Sequence, residues 1–295
     1  MTNPESAGQG GGLTPGLYLV ATPIGNARDI TLRALDLLAT AEVLAAEDTR
    51  SLRRLMELHG VALGDRPLVA YHDHNGARVR PRLLADLAAG KSVLYASEAG
   101  TPMISDPGFD LARAAAEAGF PVTSAPGASA VVTALTLAGL PTDRFLFAGF
   151  LPSAGGPRKS ALRDLSGVPA TLVFYESPRR LPEMLLAAQD VLGDREAAVC
   201  RELTKKFEEV RRGSLSELAD HYRETPARGE VVVLIGKGDS GSVREIDLEQ
   251  EVNKALETMS VRDAADFVST RFAVKRRPVY QLAMRLSAKG DDDGA

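Results

Sequence analysis

Residues 93–118 read V-L-Y-A-S-E-A-G-T-P-M-I-S-D-P-G-F-D-L-A-R-A-A-A-E-A, and this stretch decides the fold. The apolar run 93–96 predicts a strand, and 109–118 has helical spacing. The run between them, from Ser97 to Gly108, is a long loop that turns tightly. Gly100 and Gly108 open backbone conformations closed to other residues. Pro102 and Pro107 fix φ and stiffen the turn. Asp106 is placed to cap the next helix, with Pro107 at its first position. A rigid loop with small side chains at the carboxyl end of a strand predicts a ligand site of an open α/β sheet, shaped around a flat, compact ligand.

Working outward, the same pattern recurs. Strands are expected at 17–21, 43–46, 68–71, 93–96 and 121–124, and helices at 31–40, 52–59, 79–89 and 109–118. Strands alternating with helices predict a mostly parallel sheet. A second series follows Pro126-Gly127. It has helices at 129–138, 158–165, 181–192 and 215–222, and strands at 145–148, 171–175, 197–201 and 230–235. The expected organisation is a disordered leader at 1–13, α/β domains at 14–123 and 124–238, and a linker at 239–246. Beyond these come a helical segment at 247–288, resembling a helix-turn-helix in outline, and a disordered acidic tail at 289–295. Within the helical segment, Ser260 and Asp263 have capping-box spacing.

A length of 295 residues suits about two domains. With no Trp and only 5% aromatic residues, the core must be aliphatic. The single cysteine, Cys200, excludes an internal disulfide framework and fits a reducing cytosol. No apolar stretch approaches the ~18 residues of a membrane span. The net charge of −4 argues against a globally basic nucleic-acid coat protein, while leaving room for a local basic face.

Further strand-end turns carry chemistry. A-T-P-I-G-N-A-R-D-I-T (21–31) is too poor in glycine for a phosphate-cradling loop, and reads equally as an ordinary turn capped by Asp29 or Thr31. A-A-E-D-T-R-S-L-R-R (45–54) sets Glu47 and Asp48 before Arg50, Arg53 and Arg54. It reads either as an acid/base or hydroxyl-binding pair beside a phosphate-binding face, or as a cap with solvated arginines. P-G-A-S-A (126–130) offers Gly127 and a helix N-terminus to a polar or anionic group. F-Y-E-S-P-R-R (174–180) and R-E-L-T-K-K (201–206) put Glu176, Arg179 and Lys205 at strand tips, where they also read as ion pairs. Arg158, Lys159, Arg211 and Arg212 add to the basic groups. His72-Asp73-His74-Asn75 lacks the spacing of a metal site, and no metal is expected.

Nine motifs occur in one order: L-Y-L-V-A-T-P-I-G-N, D-I-T-L-R-A-L, A-A-E-D-T-R, G-T-P-M-I-S-D-P-G, P-G-A-S-A, G-F-L-P, F-Y-E-S-P-R-R-L, R-E-L-T-K and G-E-V-V-V-L-I-G. Together, over residues 16–236, the chain resembles the bacterial 16S ribosomal RNA cytidine 2′-O-methyltransferases of the tetrapyrrole methylase superfamily. The resemblance implies two α/β domains of tetrapyrrole methylase type with a cofactor cleft between them. It also implies a small C-terminal helical segment, S-adenosylmethionine as cofactor, a homodimer, and methyl transfer to a ribose 2′-oxygen of 16S rRNA, as naked RNA or in the assembled small subunit. The cofactor role falls on Pro23, on Ala99, Gly100, Thr101, Pro102 and Ile104, and on Pro126, Gly127, Ala128, Ser129 and Ala130. Proton removal needs a carboxylate, with Glu98, Asp48 and Glu47 as candidates and Lys205 or Arg50 as the supporting cation. Arg50, Arg53, Arg54, Arg158, Lys159, Arg179, Lys275, Arg276 and Arg277 are the expected RNA contacts. Where the family's key loop usually opens S-D-A-G-T-P, this chain has Glu98, with the same charge and one more methylene of reach. The alternatives are a tetrapyrrole or protein-residue methylase of the same fold, or a non-catalytic RNA-binding ribosome-assembly factor.

Overall fold

The computed structural model describes residues 12–104, 108–238, 242–271 and 276–292. The expected cap at Asp106 and Pro107, the leader up to residue 11, Lys275 and the last three residues lie outside the described residues. The chain divides into two compact units, one holding both sheets and the other the C-terminal helices.

The first half runs β1 (Gly16–Val20), α1 (Leu32–Thr40), β2 (Val43–Ala46), α2 (Thr49–Leu58), β3 (Leu68–Ala70), α3 (Gly76–Ala88), β4 (Ser92–Ala96), α4 (Gly108–Glu117) and β5 (Val122–Ala125). These strands form a wholly parallel sheet of order β3-β2-β4-β1-β5. Every residue of β1, β2 and β4 is buried, as expected of parallel strands covered on both faces. Alternation sorts them. Tyr18, Val20, Leu44, Ala46, Leu94 and Ala96 meet α1 and α2 through Leu37, Leu38, Leu52 and Met56. Leu17, Leu19, Val43, Ala45, Val93 and Tyr95 meet α3 and α4 through Leu83, Leu87 and Leu111. Crossover helices leave the strand ends carrying the turns 21–31, 47–48 and 97–104 at one edge of the sheet.

The second half runs α5 (Ala130–Ala138), β6 (Phe145–Phe150), α6 (Gly155–Leu165), β7 (Thr171–Glu176), α7 (Leu181–Leu192), β8 (Glu196–Arg201), β9 (Glu209–Ser214), α8 (Leu215–Glu224) and β10 (Val231–Ile235). The second sheet is mixed. In the order β6-β7-β10-β8-β9 only β6 and β7 are parallel, and β10 lies antiparallel to both its neighbours. The cause is β9, which the sequence reading omits. Its run E-V-R-R-G-S carries one large apolar residue, Val210, because it is an edge strand whose charges face solvent. It follows β8 as an antiparallel partner without a crossover helix. On one face of this sheet, Val173, Ala198, Cys200, Val232 and Leu234 pack against α5 and against Ile24 and Leu203.

Among the described residues, the C-terminal unit has three helices, α9 (Ser242–Leu256), α10 (Val261–Arg271) and α11 (Arg276–Asp292). Two were expected. The glycine-serine start of the expected linker hides α9, and α11 runs into the expected tail. Val252, Ala255, Ala264, Ala265, Val268, Val279 and Ala283 form a small core of their own. The Ser260 hydroxyl accepts from the Asp263 backbone N–H at 3.2 Å, which caps α10 as its spacing suggests. Among the described residues, no helix is long and apolar enough to cross a membrane.

Candidate functional site

The strand-end turns of both sheets line one cleft of about 730 Å3. The first wall is built from the β1 and β4 turns, stitched by a two-residue bridge. Thr22 N–H donates to the Gly100 carbonyl and Gly100 N–H to the Thr22 carbonyl, each at 3.0 Å. The buried Thr22 hydroxyl lies 3.2 and 3.3 Å from the Ser97 and Glu98 carbonyls, and the Ser97 hydroxyl donates to the Gly100 carbonyl at 2.6 Å. These bonds close the turn 97–100 with Gly100 at φ 82°, where a side chain is strained. The Thr101 hydroxyl donates to the Ala128 carbonyl at 2.9 Å, which ties the key loop to the α5 turn.

The second wall comes from β6, β7, β10 and the loop after β8. In it, Glu202 and Thr204 hold left-handed φ values of 51° and 63°. Such strain persists only where its surroundings enforce it, and it clusters at functional sites. Lys205 Nζ bonds Glu202 Oε1 at 3.0 Å and Glu230 Oε2 at 2.9 Å. Burial pulls its pKa down, but the two carboxylates outweigh that, so the ammonium is held above the ordinary lysine range. Lys205 is thereby a fixed cation, unsuited to act as a base. At the tip of β7, the buried carboxylate of Glu176 takes Arg180 in bidentate fashion at 2.7 and 2.8 Å and accepts from Ser177 N–H at 2.7 Å.

Of the expected residues, Pro23, Ala99, Gly100, Thr101, Ile104, Ser129, Ala130, Glu47, Glu98 and Lys205 line this cleft. Pro102, Pro126, Gly127 and Ala128 do not. Pro102 is buried behind the lining, and Gly127 packs on the β1 turn, where a Cβ would stand 2.9 Å from that of Ala21. Asp48 is also corrected. It caps α2, which starts at Thr49 instead of Leu52, by accepting from Arg50 N–H at 2.8 Å, and it pairs with the Arg50 guanidinium at 2.7 Å. Hydrogen bonds from that guanidinium, and then from the backbone, lower its pKa to about 2. Glu47 Oε2 instead accepts from Glu98 N–H at 3.3 Å.

The expected RNA contacts divide. Arg50, Arg53 and Arg54 are exposed on α2, whose Ser51 lines the cleft, and Arg179 is exposed beside the lining residue Pro178. Arg158 is the clear correction. Its side chain is 3% exposed, and it donates to the Pro152 carbonyl at 3.3 Å and the Ser153 carbonyl at 2.6 Å, with Glu183 at 3.3 Å. It is a structural clamp, and basic composition alone does not distinguish a clamp from a surface arginine. Lys159 pairs with Asp190 at 2.8 Å. Arg276 pairs with Asp266 and lies over Tyr280, while Arg277 is exposed. His72–Asn75 forms the turn into α3, and no cluster of three metal-ligating side chains occurs among the described residues.

Sequence reasoning passed over Gly25, Phe150, Gly229 and Glu230 as site residues. Gly25 and Gly229 are legible only afterwards, as glycines that admit close neighbours. A Cβ on Gly229 would lie 2.2 Å from Glu202 Oε1.

Strand-end turns from two α/β sheets face across one cleft, which defines the chain as an α/β protein with a small-molecule site at its strand ends. Residues 16–219 match the family described as Tetrapyrrole (Corrin/Porphyrin) Methylases, and the chain belongs to that family. It is 46% identical over 286 residues, spanning 96% of each chain, to Ribosomal RNA small subunit methyltransferase I of Mesorhizobium japonicum. It is 41% identical to the protein of the same name from Halalkalibacterium halodurans, over 90% of this chain and 93% of that one. Among solved structures it shares its fold with uroporphyrin-III C-methyl transferase from Thermus thermophilus, complexed with S-adenyl homocysteine. The TM-score is 0.52 at 22% identity, over 75% of this chain and 97% of that one. Methyltransferases of this family use S-adenosylmethionine. The cleft fits such a group, since its volume lies within the ~300–1,000 Å3 of small-molecule sites. Gly100 lines the cleft without a side chain, at φ 82° and with Ile24 Cγ2 only 3.2 Å from where a Cβ would stand, so the turn presents backbone to whatever the cleft holds.

Proposed function

We propose that the protein transfers the methyl group of S-adenosylmethionine to the 2′-oxygen of a cytidine ribose in 16S rRNA, in the decoding region of the small subunit. The names of its relatives support RNA of the small subunit as substrate. The observation that supports it most is the exposed basic face beside the cleft. Arg50, Arg53 and Arg54 lie on the helix that contributes Ser51 to the lining, and Arg179 follows Pro178. Cations on both sides of the entrance suit the phosphate backbone of an RNA.

Bound S-adenosylmethionine supplies an electrophilic methyl carbon on a neutral leaving group. The chain has two tasks: to align the ribose oxygen with that carbon, and to take its proton. Glu98 is the base, with Glu47 holding its backbone. Lys205 cannot accept the proton while two carboxylates pin it as an ammonium, so it stabilises the developing oxyanion. Asp48 is spent on capping and pairing, and Pro23, Ala99–Thr101, Ile104, Ser129 and Ala130 hold the cofactor. The working form is a cytoplasmic homodimer. The exposed Val122 and Phe145, on the edge strands β5 and β6, support a protein contact there.

The test is transfer of labelled methyl to 16S rRNA, naked and in the assembled small subunit, with mapping of the product. The expected product is one alkali-resistant linkage at a cytidine. Label on a base, or on neither RNA, would sink the reading.

A further inference from the structure

The motif G-F-L-P (149–152) ends β6 with a defect that re-aims one ring. Against β7, Phe147 pairs with Val173 and Phe150 with Tyr175, so β6 spends three steps where β7 spends two. Gly149 absorbs the extra residue at φ 65°. In a regular strand, residues 147 and 150 would point to opposite faces. The bulge puts both on one face, where both rings meet Tyr175 edge-on, at 4.8 Å for Phe147 and 5.7 Å for Phe150. Phe150 lines the cleft and yet is 58% exposed. Its support is rigid, because the next residue, Leu151, is buried and its carbonyl accepts from Arg180 Nη2 at 2.7 Å. Arg180 is in turn fixed by Glu176.

We propose that Phe150, backed by Tyr175, is a stacking platform for the base of the nucleotide being methylated. This rests on the reading of the substrate as RNA. A-form RNA displays its 2′-hydroxyls in a shallow groove, and to carry one of them down into a recessed cleft the nucleotide is splayed out, so that its base loses its stacking neighbours. A fixed, open aromatic face replaces them, whatever the base.

The chain has no tryptophan, so Phe150→Trp installs a single fluorescent reporter at the platform. Phe150→Ala is expected to raise KM for 16S rRNA about tenfold, with S-adenosylmethionine affinity and thermal midpoint unchanged. Phe150→Trp is expected to restore KM, and its emission to be quenched by 16S rRNA but not by S-adenosylhomocysteine alone. Quenching that saturates with S-adenosylhomocysteine assigns the ring to the cofactor's adenine and overturns the proposal. So does an unchanged KM in Phe150→Ala. Wild-type enzyme that transfers no methyl to RNA sinks the functional reading instead, and the emission titration still decides the platform: no quenching by RNA overturns it.

Discussion

Gly25 and Lys205 approach so closely that a Cβ on the glycine would lie 2.5 Å from the lysine Cγ. The contact joins the β1 turn of the first sheet to the strained loop of the second. It is reinforced by Asn26 N–H, which donates to the Thr204 hydroxyl at 3.0 Å. The position of the cleft's ammonium is therefore set by the absence of a side chain in the opposite wall.

Gly25→Ala is expected to displace Lys205 and Thr204 and, because the Leu203 carbonyl at 2.9 Å is backbone, to shift the loop itself. The cost is about 1–3 kcal/mol of stability. Methyl transfer should fall at least ~10-fold through misplacement of the cation. Unfolding curves and single-turnover rates check both, and a fully active variant refutes the coupling of the two walls.

The Lys205 cluster gives a pH signature. Hydrogen bonding from Lys205, and then from the Glu230 backbone, lowers the pKa of Glu202 below its ordinary 4.5. Its contribution is thus present above that value and lost as pH falls through the folded one. The raised Lys205 contributes fully below its ordinary 10.5 and loses its effect as pH rises through the folded value. Glu202→Gln should flatten the acid limb of a plot of thermal midpoint against pH. Lys205→Met should cost about 1 kcal/mol near neutrality, by leaving Glu202 and Glu230 facing each other, and recover in acid as Glu202 protonates.

Arg158→Ala is expected to destabilise by about 2–4 kcal/mol, because the Pro152 and Ser153 carbonyls lose a buried donor. RNA affinity of the folded fraction should be unchanged. Filter binding at several salt concentrations, beside denaturant melts, separates the two effects. A weaker affinity with a shallower salt slope returns Arg158 to the RNA face.

Cys200 is buried, and burial pushes its thiol pKa up to about 11. Iodoacetamide should leave the native enzyme unmodified at neutral pH and label it only on unfolding. Mass spectrometry after a short pulse reads the result, and rapid native labelling contradicts the burial of β8.

Some of this was legible beforehand. The expected limits of β2 and α7 match the structure, because an apolar run between turn residues and a 3.6-residue period are local signals. The key loop's place at a strand end was legible for the same reason. The edge strand β9, with its charged exterior, was not, and neither was α9 behind its glycine-serine start. Among the charged residues, composition offered Asp48, Arg50, Arg158 and Lys205 on equal terms. Their fates differ because their neighbours do: a helix end for Asp48, two carbonyls and Glu183 for Arg158, and two glutamates for Lys205.

By itself, the sequence determined the alternating elements, the turn chemistry at their ends and the family, since these rest on spacing and residue type along the chain. Only the tertiary structure decided that the second sheet is mainly antiparallel, that Lys205 is pinned between Glu202 and Glu230, and that a bulge at Gly149 turns Phe150 into the cleft. Each depends on strand pairing and on contacts between residues distant in the chain, where burial and hydrogen bonding select one partner among many of the same type.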